Sequence, residues 1–391
     1  MDNTAGEPGR RLRLGVIGGG SGSFIGPVHR TAARLDNRYD IVASVLSSNP
    51  DRSRAAGRTI GIAEDRAYGT ADEMLAAEAG RDDGMDTVAI MTPNDSHYPL
   101  CCAALDRGLD VICDKPLTTN LTDAVDLVRR VRASGLVFCL TYNYTGYPMI
   151  RQARAMVRAG VLGDIRMVQV EYVQGHIATL VEAEGGGKEW RLGGRRAGPS
   201  MVLGDIGSHA HHLACFVTGQ QVVRVSADLG AVVPSRRVDD YGGALLRFAN
   251  GARGIFWVTQ AAAGAEHGLH IRVFGENGGL EWHQEQPNQL RHMPLGAPAQ
   301  VLTRGGPGLS PAAGRATRVA IGHPEGYQEA FANLYADAAV AIAARRGGSQ
   351  ADPLALDFPT VEDGARGMKF ITAAVESSRA GGGWVDCGLD L

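Results

Sequence analysis

A short apolar run followed by clustered glycines constrains the fold of this chain more than any other segment. Leu12–Ile17 has the composition of a buried strand, and five glycines fall within residues 18–26. A parallel strand that ends in glycines and opens a helix brings backbone N–H groups and a helix N-terminus close to a pyrophosphate. A plain tight turn has a similar composition, so the glycines alone are a weak signal. The candidate dinucleotide contacts here are Gly18, Gly20, Ser21, Gly22, Phe24 and Ile25.

Strand and helix signals alternate through the first part of the chain. The predicted strands are Leu12–Ile17, Ile41–Ser47, Thr87–Met91, Asp110–Cys113 and Val137–Thr141. The predicted helices are Pro27–Leu35, Asp51–Gly61, Ala71–Ala79, Tyr98–Arg107 and Leu121–Ser134. Near-continuous apolar strands that alternate with helices predict a doubly wound parallel sheet of the Rossmann type. We therefore assign residues 1–140 to a dinucleotide-binding domain.

The pattern of strand and turn signals changes in residues 141–391. We assign these residues to a second α+β domain for substrate binding and oligomerisation. Its predicted strands form a large open, mostly antiparallel sheet: Arg166–Val173, Val222–Leu229, Gly242–Phe248, Arg253–Thr259, Leu269–Phe274 and Gly279–Trp282. Pro294–Gly314 is predicted to be a long surface loop. Two closing helices are predicted, one beginning at His323-Pro324-Glu325 with proline in its first turn and one at Val361–Arg379. These terminal helices could pack back on the first domain.

Composition narrows the class of protein. The chain has 391 residues, 44% of them hydrophobic, and a formal charge of -3, which gives no reason to expect nucleic acid or an anionic membrane as a partner. No apolar stretch reaches the ~20 residues of a bilayer span, and Met1–Arg11 is polar without a signal-peptide core. The six cysteines form no CxxC pair. We therefore expect a cytoplasmic protein with reduced thiols and no metal site.

Five separated motifs give the chain a family resemblance. They are the glycine turn, Thr92-Pro93-Asn94-Asp95-Ser96-His97, Cys113-Asp114-Lys115-Pro116, Trp190-Arg191 and Asp205-Ile206-Gly207-Ser208-His209. In order and spacing the chain resembles the Gfo/Idh/MocA oxidoreductases. The resemblance implies an NAD(P)-dependent enzyme that oxidises or reduces hydroxyl and keto groups of sugars and cyclitols.

Lys115, Asp205 and His209 are the candidate catalytic residues. Asp114-Lys115-Pro116 follows a predicted strand whose carboxyl end faces the ligand crevice of an open α/β sheet. A lysine there can hold a hydroxyl and stabilise the developing alkoxide. His209 can accept a proton because imidazole changes charge near neutral pH, and Asp205, four residues earlier on one helix face, could orient it or bind substrate. The alternatives are a turn lysine and an N-cap aspartate followed by surface histidines.

Asp205, His209 and His212 also have the i, i+4, i+7 spacing of a possible zinc site on one helix face. No second carboxylate or cysteine cluster nearby in the sequence completes such a site, so no metal is predicted. The family often has an aspartate where His212 stands, and its role is open. The family also usually has glutamate where Asp114 stands.

The remaining site predictions come from position and resemblance. The resemblance places Thr92, Pro93, Asn94, His97, Asp114, Lys115, Asn143 and Trp190 near the cofactor. The predicted substrate contacts are Lys115, Tyr142, Tyr144, Trp190, Arg191, Asp205, His209 and His323. Ordinary packing is the alternative for the aromatic residues, and an Asx turn is the alternative for Pro-Asn-Asp.

The end of the second strand does not distinguish between the two nicotinamide cofactors. An NAD site usually has Asp or Glu there to bind the ribose 2'-hydroxyl, whereas this chain has Ser47 and Ser48, with Arg52 just beyond. Serine tolerates either cofactor, and arginine could pair with a 2'-phosphate. We favour NAD, with NADP not excluded.

Several functions fit these features. We expect a dehydrogenase that oxidises a secondary hydroxyl, at C3, of a sugar, cyclitol or aminoglycoside. Glu182, Glu184 and Glu189 form an acidic cluster that would attract a polycation, or are simply solvated. The alternatives are an NAD-dependent glycoside-cleaving enzyme that forms a transient 3-keto sugar and a non-catalytic nucleotide-sensing regulator. An apolar open sheet face would also predict a homodimer or homotetramer.

Overall fold

The structure is a computed structural model and describes residues 10–181 and 198–391. Its first sheet is five-stranded and parallel, in the order β2-β1-β3-β4-β5. The strands are β1 (Leu12–Gly18), β2 (Tyr39–Val45), β3 (Thr87–Met91), β4 (Asp110–Cys113) and β5 (Phe138–Leu140). The predicted doubly wound parallel sheet is confirmed.

Helices follow the strands of this sheet, and several begin at a capping side chain. They are α1 (Ile25–Leu35), α2 (Pro50–Thr59), α3 (Ala71–Ala79), α4 (His97–Leu105) and α5 (Leu121–Ser134). Asn49, Thr70 and Asn120 each accept a hydrogen bond from a backbone N–H in the first turn of the helix that follows. These caps satisfy N–H groups that have no partner within the helix, which is why the chain turns into a helix at those points.

The second sheet has nine strands in the order β13-β12-β11-β10-β6-β9-β8-β7-β14. They are β6 (Ile165–Gln174), β7 (Val222–Gly230), β8 (Tyr241–Phe248), β9 (Arg253–Thr259), β10 (His267–Gly275), β11 (Gly278–His283), β12 (Gln289–Pro294), β13 (Gln300–Thr303) and β14 (Val385–Asp386). Pairing is antiparallel except between β6 and β9. The predicted open, mostly antiparallel sheet is confirmed.

The prediction of a long surface loop at Pro294–Gly314 is wrong. The segment contains β13, which pairs with β12, and a short helix, α8 (Pro311–Arg315). Leu290 and Leu302 are opposite one another in this hairpin, and Leu290 is buried. The abundant proline and glycine resemble a loop, but the segment forms an edge hairpin that is stabilised by extending the existing sheet.

Helices cover one face of the nine-stranded sheet. They are α6 (Pro148–Arg158), α7 (Ser208–Thr218), which follows a π-helical turn at Leu203–Gly207, and α10 (Val361–Arg379). Helix α9 (Tyr327–Arg346) begins later than predicted. The carboxylate of Glu325 is bound by Arg304, and Glu329 caps the backbone N–H of Gly326, so His323-Pro324-Glu325 is a preceding turn.

The five-stranded sheet packs a separate hydrophobic cluster on each face. One face packs with α3, α4 and α5. The other packs with α1 and with α9, where Phe331 and Tyr335 are buried against the sheet. The last third of the chain thus completes the first sheet's core. Among the described helices, none is long and apolar enough to cross a membrane.

Candidate active site

The site forms where the carboxyl end of β4 meets the segment that precedes α7. Lys115 follows β4, and its Nζ donates to Asp205 Oδ1 at 3.0 Å and to the backbone carbonyl of Asp205. The two side chains are 15% and 20% exposed. A lysine and an aspartate that are 90 residues apart in sequence are therefore joined at the boundary between the two sheets.

Asp205 lies in the π-helical turn Leu203–Gly207, and His209 lies in the first turn of α7. Wider turns of this kind are rare and occur frequently at functional sites. Asp205 is not the N-cap of α7, and every residue of α7 is buried. The alternative of an N-cap aspartate followed by surface histidines is therefore wrong.

Gln260, which the sequence analysis missed, holds the other oxygen of Asp205. Its Nε2 donates to Asp205 Oδ2 at 2.8 Å and to Gln174 Oε1 at 3.3 Å. Asp205 consequently accepts from Lys115 on one oxygen and from Gln260 on the other. A glutamine just beyond β9 carries no motif that would have marked it.

Tyrosines surround the imidazole of His209. Tyr144 contacts it edge to face with the ring centroids 4.8 Å apart, and the rings of Tyr142 and Tyr172 lie at 5.6 and 6.5 Å. The hydroxyls of Tyr144 and Tyr172 are hydrogen-bonded to each other. Tyr172 was missed because it is one of several aromatic residues in ordinary strand positions.

Burial, and then the charge of Lys115, lower the pKa of His209 well below its usual value. Burial therefore favours the neutral imidazole in the free protein. Its Nδ1 is buried, and no described residue hydrogen-bonds it. A buried polar atom usually has a partner, so this nitrogen is available to a bound group or water.

Tyr142, a predicted substrate contact, is buried beside His209. Its ring stacks on His212 with centroids 4.4 Å apart, and it is 2% exposed. His212 Nε2 lies 3.9 Å from Asp363 Oδ1. His212 thus packs between Tyr142 and Asp363, and within the part of the chain that the structure describes its ring nitrogens do not come together with the ligand atoms of Asp205 and His209 as a metal site would require.

The glycine turn fits the approach of a phosphate group. Gly18 has φ 88°, a conformation that L side chains rarely adopt. A Cβ on Gly20 would collide with the carbonyl oxygen of Leu46, which follows β2. Packing against this neighbouring segment therefore already requires glycine at position 20, whether or not a phosphate binds. Arg30 donates to the carbonyl of Gly19 at 2.7 Å and holds the turn in place.

The other predicted contacts of this turn lie around the start of α1. Ser21 and Gly22 are exposed, Ile25 is half-buried at the helix N-terminus, and Phe24 is 72% exposed. Asn143 Nδ2, at the far side of the site, is buried and has no hydrogen-bond partner among the described residues. A dinucleotide would fit these groups, because they offer a glycine cradle, a helix N-terminus and an unused amide donor.

The ring of His97, predicted to lie near the cofactor, is buried between two backbone carbonyls. Its Nδ1 lies 2.8 Å from the carbonyl oxygen of Pro116, and its Nε2 lies 2.9 Å from that of Thr92. The buried ring therefore joins the turn after β3, with Pro93 and Asn94, to the turn after β4. Asp114 Oδ1 accepts from Lys115 N and from Thr141 Oγ1 at 2.9 Å each, which fixes the start of the lysine turn.

The end of β2 offers hydroxyls and no carboxylate. Ser47 Oγ accepts from Asn49 N at 3.1 Å, while Ser48 and Arg52 are exposed. The neighbouring Arg54 is held by Glu73 at 3.0 Å. Trp190, Arg191 and the acidic cluster Glu182, Glu184 and Glu189 lie outside the described residues. His323 is exposed, and its carbonyl accepts from Arg304.

This fold and site define a class, the two-domain oxidoreductases with a dinucleotide domain and an open-sheet domain. Residues 12–142 match the oxidoreductase family with an NAD-binding Rossmann fold, and residues 150–281 match the GFO/IDH/MocA C-terminal domain. The chain is 34% identical to the uncharacterized oxidoreductase YfiI of Bacillus subtilis (strain 168) over 379 residues, 96% of each chain.

Solved structures agree with this assignment. An inositol dehydrogenase homologue from Azotobacter vinelandii in complex with NAD+ is 37% identical, with a TM-score of 0.93 over 99% of this chain and all of that one. A homologue from the same organism in complex with NADH and myo-inositol is 37% identical, with a TM-score of 0.89 over 96% of this chain and 98% of that one. The chain belongs to the Gfo/Idh/MocA family and is an oxidoreductase whose N-terminal domain is an NAD-binding Rossmann fold.

Proposed function

We infer that this protein is an NAD-dependent dehydrogenase that oxidises a secondary hydroxyl of a cyclitol or sugar to a ketone. The observation that carries the proposal is the Lys115–Asp205 pair beside the neutral, partly unpaired imidazole of His209. A cation and a proton acceptor close together are the two groups that a hydroxyl oxidation needs.

Each side chain has a role in this proposal. Lys115 holds the substrate hydroxyl and stabilises the alkoxide, because an ammonium group lowers the energy of negative charge in a partly buried site. His209 accepts the hydroxyl proton, and Asp205 fixes the lysine. The turn at Gly18–Ile25 would hold the pyrophosphate of a dinucleotide and Asn143 would offer it an amide donor, and the nicotinamide would supply the hydride acceptor when bound. Burial keeps His209 neutral and therefore able to accept a proton.

The tyrosines around His209 support a ring-shaped, hydroxyl-rich substrate. Tyr144, Tyr172 and Tyr327 are buried or half-buried, and the rings of Tyr144 and Tyr327 lie 6.3 Å apart. Aromatic faces suit the apolar side of a sugar or cyclitol ring, while phenol groups bind its hydroxyls. One homologous structure contains myo-inositol, which supports a cyclitol.

The finer predictions belong to the same proposal. Oxidation at C3, and an aminoglycoside substrate as for the dehydrogenase that oxidises the 3''-hydroxyl in gentamicin biosynthesis, are proposed as narrower versions of this reaction. NAD is favoured because the homologous structures are complexes with NAD+ and NADH; the exposed Arg52 could pair with a 2'-phosphate, so NADP+ is part of the test. The six free cysteines support the cytoplasm as its compartment.

The test is a panel of cyclitols, sugars and aminoglycosides incubated with purified protein and NAD+ or NADP+, with absorbance at the reduced-nicotinamide band as the readout. Multiple turnover of NAD+ with a cyclitol or sugar supports the proposal. Recycling of bound NAD with cleavage of a glycoside would favour the glycoside-cleaving alternative. Nucleotide binding without turnover on any class would favour the regulator and refute a dehydrogenase.

We also propose that the chain assembles through the face of the nine-stranded sheet that no described helix covers. Met167, Leu245, Ile255 and Trp257 share this face and are 54%, 49%, 55% and 39% exposed. An apolar sheet face of this kind is rarely left in water, which supports a homodimer or homotetramer.

A further inference from the structure

Two histidines and a glutamate meet on the uncovered face of the nine-stranded sheet, away from the candidate active site. His270 on β10 pairs directly with His283 on β11, and Glu281 precedes His283 by two residues on the same strand. Side chains two residues apart on a strand share a face, and directly paired residues on neighbouring strands lie side by side. Glu171 and Tyr172 are consecutive residues of β6, so their side chains lie on opposite faces of the sheet. Tyr172 belongs to the active site, which is therefore on the other face.

The distances between the three side chains are those of ligands around one small cation. His270 Nε2 lies 3.2 Å and His283 Nε2 lies 3.6 Å from Glu281 Oε1, and the three ligand atoms all lie within 4.8 Å of one another. With metal–ligand bonds of ~2.0–2.1 Å, two ligands of a tetrahedral zinc ion are roughly 3.3 Å apart. The rings of His270 and His283 stack with their centroids 3.7 Å apart, so the half-exposed His283 ring has to rotate out of this stack before both Nε2 lone pairs can converge on one ion.

A fourth side chain orients the buried histidine. His270 Nδ1 lies 3.2 Å from Glu171 Oε1, while its Nε2 faces Glu281. A carboxylate on one ring nitrogen fixes the tautomer and leaves the other nitrogen as a lone-pair donor, which is the usual second partner of a metal-bound histidine. In a neutral ring oriented this way, the Nε2 lone pair points at a carboxylate oxygen. A cation between the two atoms would remove that repulsion.

Two arginines also face this cluster and bear on its affinity. Arg291 Nη1 lies 3.2 Å from Glu281 Oε2, so it occupies the oxygen that faces away from the histidines. Arg272 Nε lies 3.9 Å from Oε1. The two guanidinium groups balance the two carboxylates, so the site has no excess negative charge to attract a hard cation such as Ca²⁺. Imidazole ligands favour a borderline transition metal instead.

We propose that His270, Glu281 and His283 bind one zinc-class divalent ion on the uncovered sheet face, with Glu171 as a positioning residue. The ion joins β10 to β11 and leaves a fourth position for water. This cluster is not evident in the sequence because His270 meets Glu281 and His283 only through the register between β10 and β11.

The experiment is titration of the metal-stripped, full-length protein with ZnCl2 at pH 7.5 by calorimetry. We expect saturable binding of one Zn²⁺ per chain. His283→Ala should weaken it at least 10-fold, and Glu171→Gln by roughly 10-fold as for other outer-shell partners. His283 is half-exposed, so its removal should not unfold the protein. Co²⁺ should give visible absorption bands of low-symmetry coordination in the wild type and not in His283→Ala.

The matched control is His267→Ala, an exposed histidine on the same strand as His270. It should leave Zn²⁺ affinity unchanged. Absence of saturable binding would overturn the proposal and leave the cluster as a set of side chains that contact one another across two strands. Equal losses in His267→Ala and His283→Ala would also overturn it, because they would indicate adventitious surface binding.

Discussion

The two faces of the nine-stranded sheet present opposite environments to the same strands. On the covered face, Val170, Phe256 and Ile271 pack against helices, and Tyr172 and Gln260 extend this layer to the site. On the uncovered face, Ile255 and Trp257 remain exposed from the same strand that buries Phe256. The comparison indicates that one alternating strand can supply a desolvated reaction site on one side and an association surface on the other. Substitutions that differ only in the face they alter test this division.

The largest loss of turnover is expected on the covered side of the sheet, from removal of Lys115 or His209. Lys115→Met and His209→Ala should each lower turnover by ~10²-fold or more, because each removes a partner of the reacting hydroxyl. NAD+ affinity, measured by calorimetry, should change little. Their combined effect should be less than additive, since both groups act on one oxygen. Near-wild-type turnover in either variant would remove these residues from the mechanism.

A smaller loss is expected from Gln260→Leu. Asp205 would lose its amide donor and hold Lys115 less firmly. Removal of a charge-assisted hydrogen bond of about 1.5 kcal/mol should lower kcat by roughly 10-fold. The pH profile of kcat should shift as well. The matched control is Gln169→Leu on the uncovered face. A merely structural role for Gln260 would leave the pH profile unmoved. Gln260→Glu, which adds a charge beside Asp205, should move that profile further than Gln260→Leu.

Buried histidines of α7 should make stability fall in mild acid. Burial lowers the pKa of His211 to about 3 and of His212 to about 4. The unfolded chain gains protons below its histidine pKa of ~6.5 while the folded chain does not, so stability is full above that pH and declines as pH falls toward 4. By pH 5 each histidine should cost on the order of 2 kcal/mol in the free energy of unfolding.

Urea unfolding at pH 7.5 and 5.0 measures this loss. His211 stacks on Phe370 with ring centroids 4.3 Å apart, so His211→Leu keeps an apolar contact and removes the titrating group. The variant should lose less stability than the wild type between the two pH values. An identical loss in both would mean that His211 does not titrate on unfolding in this range.

The smallest catalytic effect is expected on the uncovered face. Ile255→Lys with Trp257→Ser places charge and polarity on the proposed association surface, so light scattering should show a shift from a dimer or tetramer toward the 41.2 kDa monomer. Turnover per chain should stay within about twofold, because the reacting groups lie on the other face. A wild-type protein that is already monomeric would contradict the assembly proposal.

The sequence alone predicts the parts of this molecule that are local. The parallel strands and their helices follow from apolar runs and capping residues such as Asn120, and Lys115, Asp205 and His209 stand in recognisable motifs. The sequence missed β12 and β14, but β6 to β11 were predicted because turn signals separate them. Pro294–Gly314 was not, because its composition resembles a loop and the hairpin depends on the sheet it joins.

Residues that act through long-range contacts could not be found in this way. Gln260 reaches Asp205 only because β9 ends beside the π-helical turn, and the ring nitrogens of His97 face two carbonyls that belong to different loops. The motif that identified His97 did not indicate these two carbonyl partners. The lowered pKa of His209 could not be predicted either, because its desolvation depends on the tyrosines that fold around it.

Helix α9 has a consequence for protein engineering. The hydroxyl of Tyr39 donates to the backbone carbonyl of Tyr335, and the hydroxyl of Tyr335 contacts His29. Residues of the last third of the chain therefore complete the core of the first domain. A chimaera that exchanges the nucleotide domain with that of a relative at a single junction would separate these partners. Recombination between members of the family should therefore succeed with two crossovers, one after the first sheet and one that carries α9 along with it.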